Sequence, residues 1–250
     1  MSLLLAALLA QDVQVEAQTR LWWTSPKFRV RDGESWLAPS SVFSRELDAE
    51  GPRFGPGGAL RLLLGEERLS LEIWALRAEG EGTLDEPKNF GGAVVPAGTP
   101  SDADVLFSRT ALDWRHRFDL GLGEEGGPRL YLHPGLAVEY LVFDADLGFG
   151  RTRLDGVFPT PQISLGFRPL DGLEFAAGIG GFYLPFVNGD VDILDPVQYR
   201  LSAEFRRGRW AVGLGYELYH LHLEERADEP EEDVVHLRLR SLFLSLSFRF

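Results

Sequence analysis

The segment Leu242-Phe243-Leu244-Ser245-Leu246-Ser247-Phe248-Arg249-Phe250 alternates without interruption. Leu242, Leu244, Leu246, Phe248 and Phe250 share one face of an extended chain, and Ser245, Ser247 and Arg249 share the other. Successive side chains of a β-strand point to opposite faces, so this is a strand with one bulky apolar face. Upstream of Ser241 the assignment inverts. Leu237 and Leu239 fall on the serine side, while His236, Arg238 and Arg240 continue the apolar row. Either a bulge resets the phase, or the apolar surroundings end near Ser241; the second reading is preferred.

The same alternation fills the chain. From Val13 to Trp23 one face carries Val13, Val15, Ala17, Thr19, Leu21 and Trp23, and the other carries Gln14, Glu16, Gln18, Arg20 and Trp22. Similar segments lie near 57–65, 68–80, 103–120, 128–143, 157–168, 172–185, 196–206, 209–223 and 234–250, which predicts about ten strands. No long window shows a helical period. The 28 Gly and 15 Pro cluster between segments, as turns require. Tight turns at 65–67, 121–127, 169–172 and 206–208 alternate with longer links at 31–56, 81–102, 144–156, 186–195 and 224–233.

No run of apolar residues is long enough for a transmembrane helix. Short and long connections in strict alternation, with an even strand number, are the pattern of an all-β, up-and-down antiparallel transmembrane β-barrel with short periplasmic turns and long extracellular loops. The faces agree. Thr110, Leu112, Trp114, His116, Phe118 and Leu120 oppose Arg109, Ala111, Asp113, Arg115, Arg117 and Asp119. Val197, Tyr199, Leu201, Ala203 and Phe205 oppose Gln198, Arg200, Ser202, Glu204 and Arg206, and Ile163, Leu165 and Phe167 oppose Gln162, Ser164 and Arg168. A face that mixes both charge signs with small residues suits the narrow, side-chain-filled lumen of a barrel of this size. Glu16, Arg20, Arg61, Glu72, Asp113, Arg115, Arg117, Glu139, Arg168, Arg200, Glu204, Glu217 and Arg249 are expected to form a lumen charge network. Trp23, Tyr140, Phe167, Tyr183, Phe205 and Trp210 are the expected aromatic girdle, because amphipathic rings settle at the headgroup level.

The last segment, with Leu242, Leu244, Leu246, Phe248 and Phe250 in one row and Phe at its end, resembles the C-terminal β-signal of bacterial outer-membrane β-barrels. The resemblance covers about nine residues directly and is generic to that class, with no specific subfamily. It implies a bacterial outer-membrane location, recognition by the barrel-assembly machinery, contact with outer-membrane lipid and lipopolysaccharide, and a monomer. Arg238, Arg240 and His236 would then meet the anionic lipopolysaccharide. Residues 1–10, ending Leu8-Leu9-Ala10, read as the remnant of a secretory signal, although no Lys or Arg precedes the apolar run. Residues 11–250 form the single barrel domain.

Thirty-eight acidic against 25 basic residues give a net charge of -13, which argues against nucleic acid as a partner. The absence of Cys removes disulfides, thiolate metal sites and a lipidated N-terminal Cys. No cofactor and no metal site is expected. Asn188 to Asp195 alternates oxygen ligands but lacks the twelve-residue calcium pattern, and the acids from Glu224 to Asp233 read as a solvated loop. Omptin proteases, which are ten-stranded, use rim carboxylates and a His; Asp102, Asp104, His220 and His222 have the residue types, but not the family's local motifs. His116 shares a face with Ser108 and Thr110, and His133 projects inward. The expectation is a non-enzymatic barrel with a polar, largely occluded lumen and a structural, adhesive or narrow-pore role. The alternatives are an outer-membrane protease or lipid hydrolase, or a soluble barrel binding a small ligand.

Overall fold

The computed structural model describes residues 13–31, 41–90, 92–121, 127–182, 184–187, 191–225 and 233–250. The expected signal remnant and part of the acidic link at 224–233 lie outside them. Ten long strands carry the architecture: β1 (Val13–Arg31), β2 (Arg53–Leu64), β3 (Glu67–Thr83), β4 (Pro100–His116), β5 (Arg129–Asp146), β6 (Arg151–Leu170), β7 (Leu173–Gly181), β8 (Val191–Arg207), β9 (Trp210–Glu225) and β10 (Asp233–Arg249). Each pairs antiparallel with the next, and β10 pairs with β1 from Glu16–Arg249 to Arg31–Val234. The sheet therefore closes on itself, and closure removes the exposed edges that a sheet this large would otherwise present.

At one end the connections 65–66, 171–172 and 208–209 are tight, while the one from Arg117 to Pro128 is longer and lies partly outside the described residues. Gly65 and Gly208, at φ 60, each begin a two-residue link, and this left-handed backbone matches the twist of the flanking strands. At the other end the expected lengths change. The link placed at 144–156 is only Leu147 to Gly150, and β8 already begins at Val191. The strands run past the predicted boundaries because their alternation continues there with inverted polarity. Phe143, Ala145 and Leu147 turn inward, while Asp144 and Arg151 pair on the outside at 2.6 Å. A tilted strand needs about 9–11 residues to cross an apolar layer; β6 has 20. Conversely, the segment expected at 103–120 breaks at Arg117, leaving Phe118–Asp119 as a separate short strand on β5. No register shift interrupts β10 beside either neighbour, so the inversion at Ser241 is not a bulge.

One wall is thinner. β6 pairs with β5 along its whole length, from Arg151 to Arg168, but with β7 only from Gln162 to Phe167 and again at Leu170. Pro159 and Pro161 sit just where that second ladder stops, and a residue without an N–H cannot extend it. Beyond Gly181 the chain turns to β8 instead, pairing Leu184 with Leu194.

The long-link end is filled from above. Residues 44–49 fold into the mouth, with Leu47 and Ala49 fully buried. They fit because β3 carries glycine at two successive inward positions: a Cβ at Gly80 would collide with the Leu47 carbonyl, and one at Gly82 with the Glu46 carbonyl. Lys88, 2% exposed, fastens the segment by pairing with Glu46 at 3.0 Å and Glu86 at 2.9 Å. Burial alone would lower its pKa, but the two carboxylates outweigh burial and raise it. Gly80→Val is expected to push residues 44–49 out of the mouth, at a cost of roughly 1–3 kcal/mol. Trypsin should then cut after Arg45 much faster than in the parent protein; an unchanged rate would show that the segment does not depend on this gap.

Candidate functional site

The barrel interior has two storeys. In the half nearer the tight turns, inward positions are charged, neutral polar or small, and nearly every charge has a partner. Glu16 accepts hydrogen bonds from Arg61 at 2.9 Å and Arg206 at 2.6 Å, with Arg249 at 3.4 Å. Arg20 clamps both oxygens of Glu72 at 3.0 Å and donates to Gln18 at 2.6 Å. Arg200 bridges Glu217 at 2.6 Å and Glu72 at 3.4 Å. Arg109 holds Glu139 with two bonds of 2.7 Å, and Arg115 pairs with Asp113 at 2.8 Å. Gln162 accepts from Arg115 at 2.5 Å and donates to Asp113 at 2.8 Å. Paired Arg forks of this kind are the strong class of charge-assisted bond.

The structure thus brings together eleven of the thirteen residues singled out in the sequence: Glu16, Arg20, Arg61, Glu72, Asp113, Arg115, Glu139, Arg200, Glu204, Glu217 and Arg249. Glu204 joins through Arg206 at 2.8 Å. Arg168 sits lower, with Glu174 at 2.9 Å, and Arg117 lies at the rim of the lumen, where it pairs with Glu66 at 2.5 Å and its guanidinium stands 5.1 Å from the ring of the inward-facing Tyr131. The Arg117 bond lowers the Glu66 pKa. Arg109 and Arg206 were absent from that selection, though both occupy the polar face; parity alone marks them, while their partners depend on barrel closure.

A cavity of about 250 Å³ runs through this network, from Glu66, Arg168 and Glu174 at the tight-turn end up to Glu72, Arg200 and Phe243. Above it the lumen ends at a layer of aromatic rings. Trp22 contacts Trp74 at 5.6 Å and Phe243 at 4.7 Å, Trp74 contacts Phe107 at 5.1 Å, and Phe107 contacts Tyr219 at 5.8 Å. The Arg20 guanidinium lies 5.6 Å from the Phe243 ring and that of Arg109 lies 5.8 Å from Tyr219, so the two storeys meet through cation–π contacts. The upper storey is an apolar core: Phe28, Val30, Leu76, Val105, Phe143, Leu237 and Leu239 pack with Val42, Leu47 and Phe90 from the links. The expectation of a polar lumen therefore holds for the lower storey only. Upper strand segments face water outside, so the hydrophobic effect turns their apolar residues inward.

The outer surface changes at the same level. Around the lower storey, large apolar residues stand exposed on all sides, among them Leu21, Ile73, Leu112, Val138, Leu165, Leu201 and Leu244. A belt of this extent is far larger than the apolar patches soluble monomers expose. Trp23, Tyr140, Phe167, Phe205 and Trp210 all project outward along it, while the Tyr183 side chain falls outside the described residues. Above the belt the outer wall turns polar. Arg77 grips Asp104 at 2.5 Å, and Lys27 pairs with Glu50 at 3.2 Å. Lys27, Arg238 and His220 lie side by side across β1, β10 and β9.

The suspected rim constellation is not assembled. Asp102 and Asp104 point outward on β4, while His220 and His222 point outward on β9, five strands away around the ring. His116 bonds Glu67 at 2.7 Å; Thr110, six positions along the strand, is about 20 Å away.

No family model matches the chain, and no curated protein matches it either. Among solved structures, the outer membrane protease OmpT from Escherichia coli is similar over 96% of this chain and 98% of its own, at 11% identity and a TM-score of 0.56. Neisserial surface protein A is similar over 95% of this chain and 97% of its own, at 10% identity and a TM-score of 0.37. At 11% identity the likeness to OmpT is one of fold. Closed by ten antiparallel strands and ringed by an apolar belt, the chain has the fold of the bacterial outer-membrane β-barrels.

Proposed function

We propose that this protein is an integral outer-membrane barrel that does not conduct, and that its role is structural or adhesive. The observation that carries the reading is the double filling of the lumen: a paired charge network below and an apolar core above, with an aromatic layer between them. Among the described residues, the aromatic layer and the apolar core leave no continuous polar path for water and ions. The belt meets lipid, the tight turns lie in the periplasm, and the upper storey stands outside the cell as a rigid platform. Lys27, Arg238 and Arg240 lie just above the belt, where lipopolysaccharide phosphates would be met. Leu242, Leu244, Leu246, Phe248 and Phe250 are the segment read by the barrel-assembly machinery. Catalysis has no part in this reading, since the buried carboxylates are committed to guanidinium groups.

The test joins fractionation to electrophysiology. The protein should fractionate with the outer membrane, migrate differently on SDS gels before and after boiling, and show no steps of conductance in a planar bilayer. Regular conductance steps from the folded species would overturn the closed-lumen reading. A soluble protein without heat-modifiable migration would overturn the membrane reading.

A further inference from the structure

On the outer wall above the belt, His222 of β9 and His236 of β10 are directly opposed in the ladder. Their rings lie near-parallel, with centroids 3.8 Å apart and planes inclined by 30°. Glu224, two positions along β9 and so on the same face, places Oε1 2.7 Å from His222 Nε2. One ligand atom from each residue falls within 4.8 Å of the other two, and all three side chains are half-buried. A single His–Glu hydrogen bond would not require the second imidazole, and two stacked imidazoles gain nothing from being charged together.

We propose that His222, Glu224 and His236 form a binding site for a divalent late transition metal ion, with zinc(II) as the leading candidate. Two imidazoles and one carboxylate are borderline ligands that suit zinc, copper or nickel rather than calcium or magnesium. Bonds of about 2.0–2.2 Å to a tetrahedral ion set ligand atoms roughly 3.4 Å apart. Side-chain shifts on the order of an ångström, opening the 2.7 Å His222–Glu224 contact and closing wider separations, would bring the cluster to that spacing. Three protein ligands leave a fourth position open on the outward side, accessible to water or to a donor group from outside. The surroundings supply both signs. Asp195 stands opposite His222 on β8, and Arg29 stands opposite His236 on β1. The Arg29 guanidinium donates to Ser41 Oγ at 2.8 Å and lies 5.9 Å from the Phe43 ring. A bound ion would clamp β9 to β10 at the base of the link between them. The site was missed in the sequence because His222 and His236 are brought together by strand register, which spacing along the chain does not reveal.

The test uses the full-length, untagged protein folded in detergent micelles, titrated with zinc chloride by calorimetry and with cobalt(II) by visible absorption. One equivalent should bind, and cobalt should give the intense bands of a tetrahedral N/O site. His236→Gln and His222→Gln should each weaken binding by more than about tenfold, while His116→Gln, on another wall, should leave it unchanged. No binding, or equal binding by the His222→Gln/His236→Gln double variant, would overturn the proposal. Variants are first checked for heat-modifiable migration. A second measurement needs no variant: zinc should protect His222 and His236 of the parent protein from diethylpyrocarbonate, mapped by mass spectrometry, and equal modification with and without zinc would overturn it.

Discussion

Glu72→Leu is expected to destabilise the folded barrel by roughly 3–5 kcal/mol, the range found when one partner of a buried ion pair is removed. Glu72 receives both arms of Arg20 and one bond from Arg200. The Arg20 side chain is 4% exposed, so without Glu72 it keeps a desolvated charge against Trp22 and Phe243. Arg200 suffers less, because Glu217 remains at 2.6 Å. Arg117→Leu is the control. It breaks a pair at the solvated rim, with Glu66, and exposed pairs of that sort contribute about 0–1 kcal/mol. Urea unfolding followed by tryptophan fluorescence in lipid vesicles would rank the two. Equal, small effects would mean that water floods the lower storey and screens the network.

Leu244→Arg is expected to cost roughly 2–4 kcal/mol in vesicles, the penalty for Arg near the midplane of a transmembrane barrel. Leu244 is 55% exposed and lies between Leu21 and Leu214 in the belt. Four positions upstream on the same face stands Arg240, already above the belt. Arg240→Leu, made as the counterpart, should change stability by less than about 0.5 kcal/mol, as surface substitutions usually do. A neutral Leu244→Arg would mean that the belt faces water, and the barrel would have to be placed outside any bilayer.

Much of this was readable from parity. Each strand of the lower storey has one bulky apolar face and one face of small, polar or charged residues, so inside and outside were assignable before any partner was known. Arg20 and Glu72 could be named as lumen residues, but not as each other's partners, because 52 positions separate them. The upper storey was harder to read. There the inward face is apolar and the outward face is charged, as in a soluble barrel, so Asp144 and Arg151 resemble loop residues although they extend two strands. The reversal near Ser241 was visible in β10 because six alternating positions on either side make the phase unambiguous. In β5 and β6 the same reversal is shorter, and Pro159 and Pro161 disguise it further. The way residues 44–49 enter the mouth depends on Gly80 and Gly82, whose meaning as a gap appears only when another backbone fills it.

The short ladder between β6 and β7 has a mechanical consequence. A closed ring under load parts at its weakest link, and the links here are unequal. The seam joining the chain's two ends holds from Glu16 to Arg31, whereas the hairpin from β6 to β7 is stitched mainly between Gln162 and Phe167. This one pair of strands adjacent in the chain is therefore less firmly joined than the pair farthest apart in it. Pulled or heated, the cylinder should unzip along the side nearly opposite its termini and leave them bound together. The opened sheet would run continuously from β7 through the terminal seam to β6, so rupture and repair would both occur at a hairpin, where the two edges cannot drift apart.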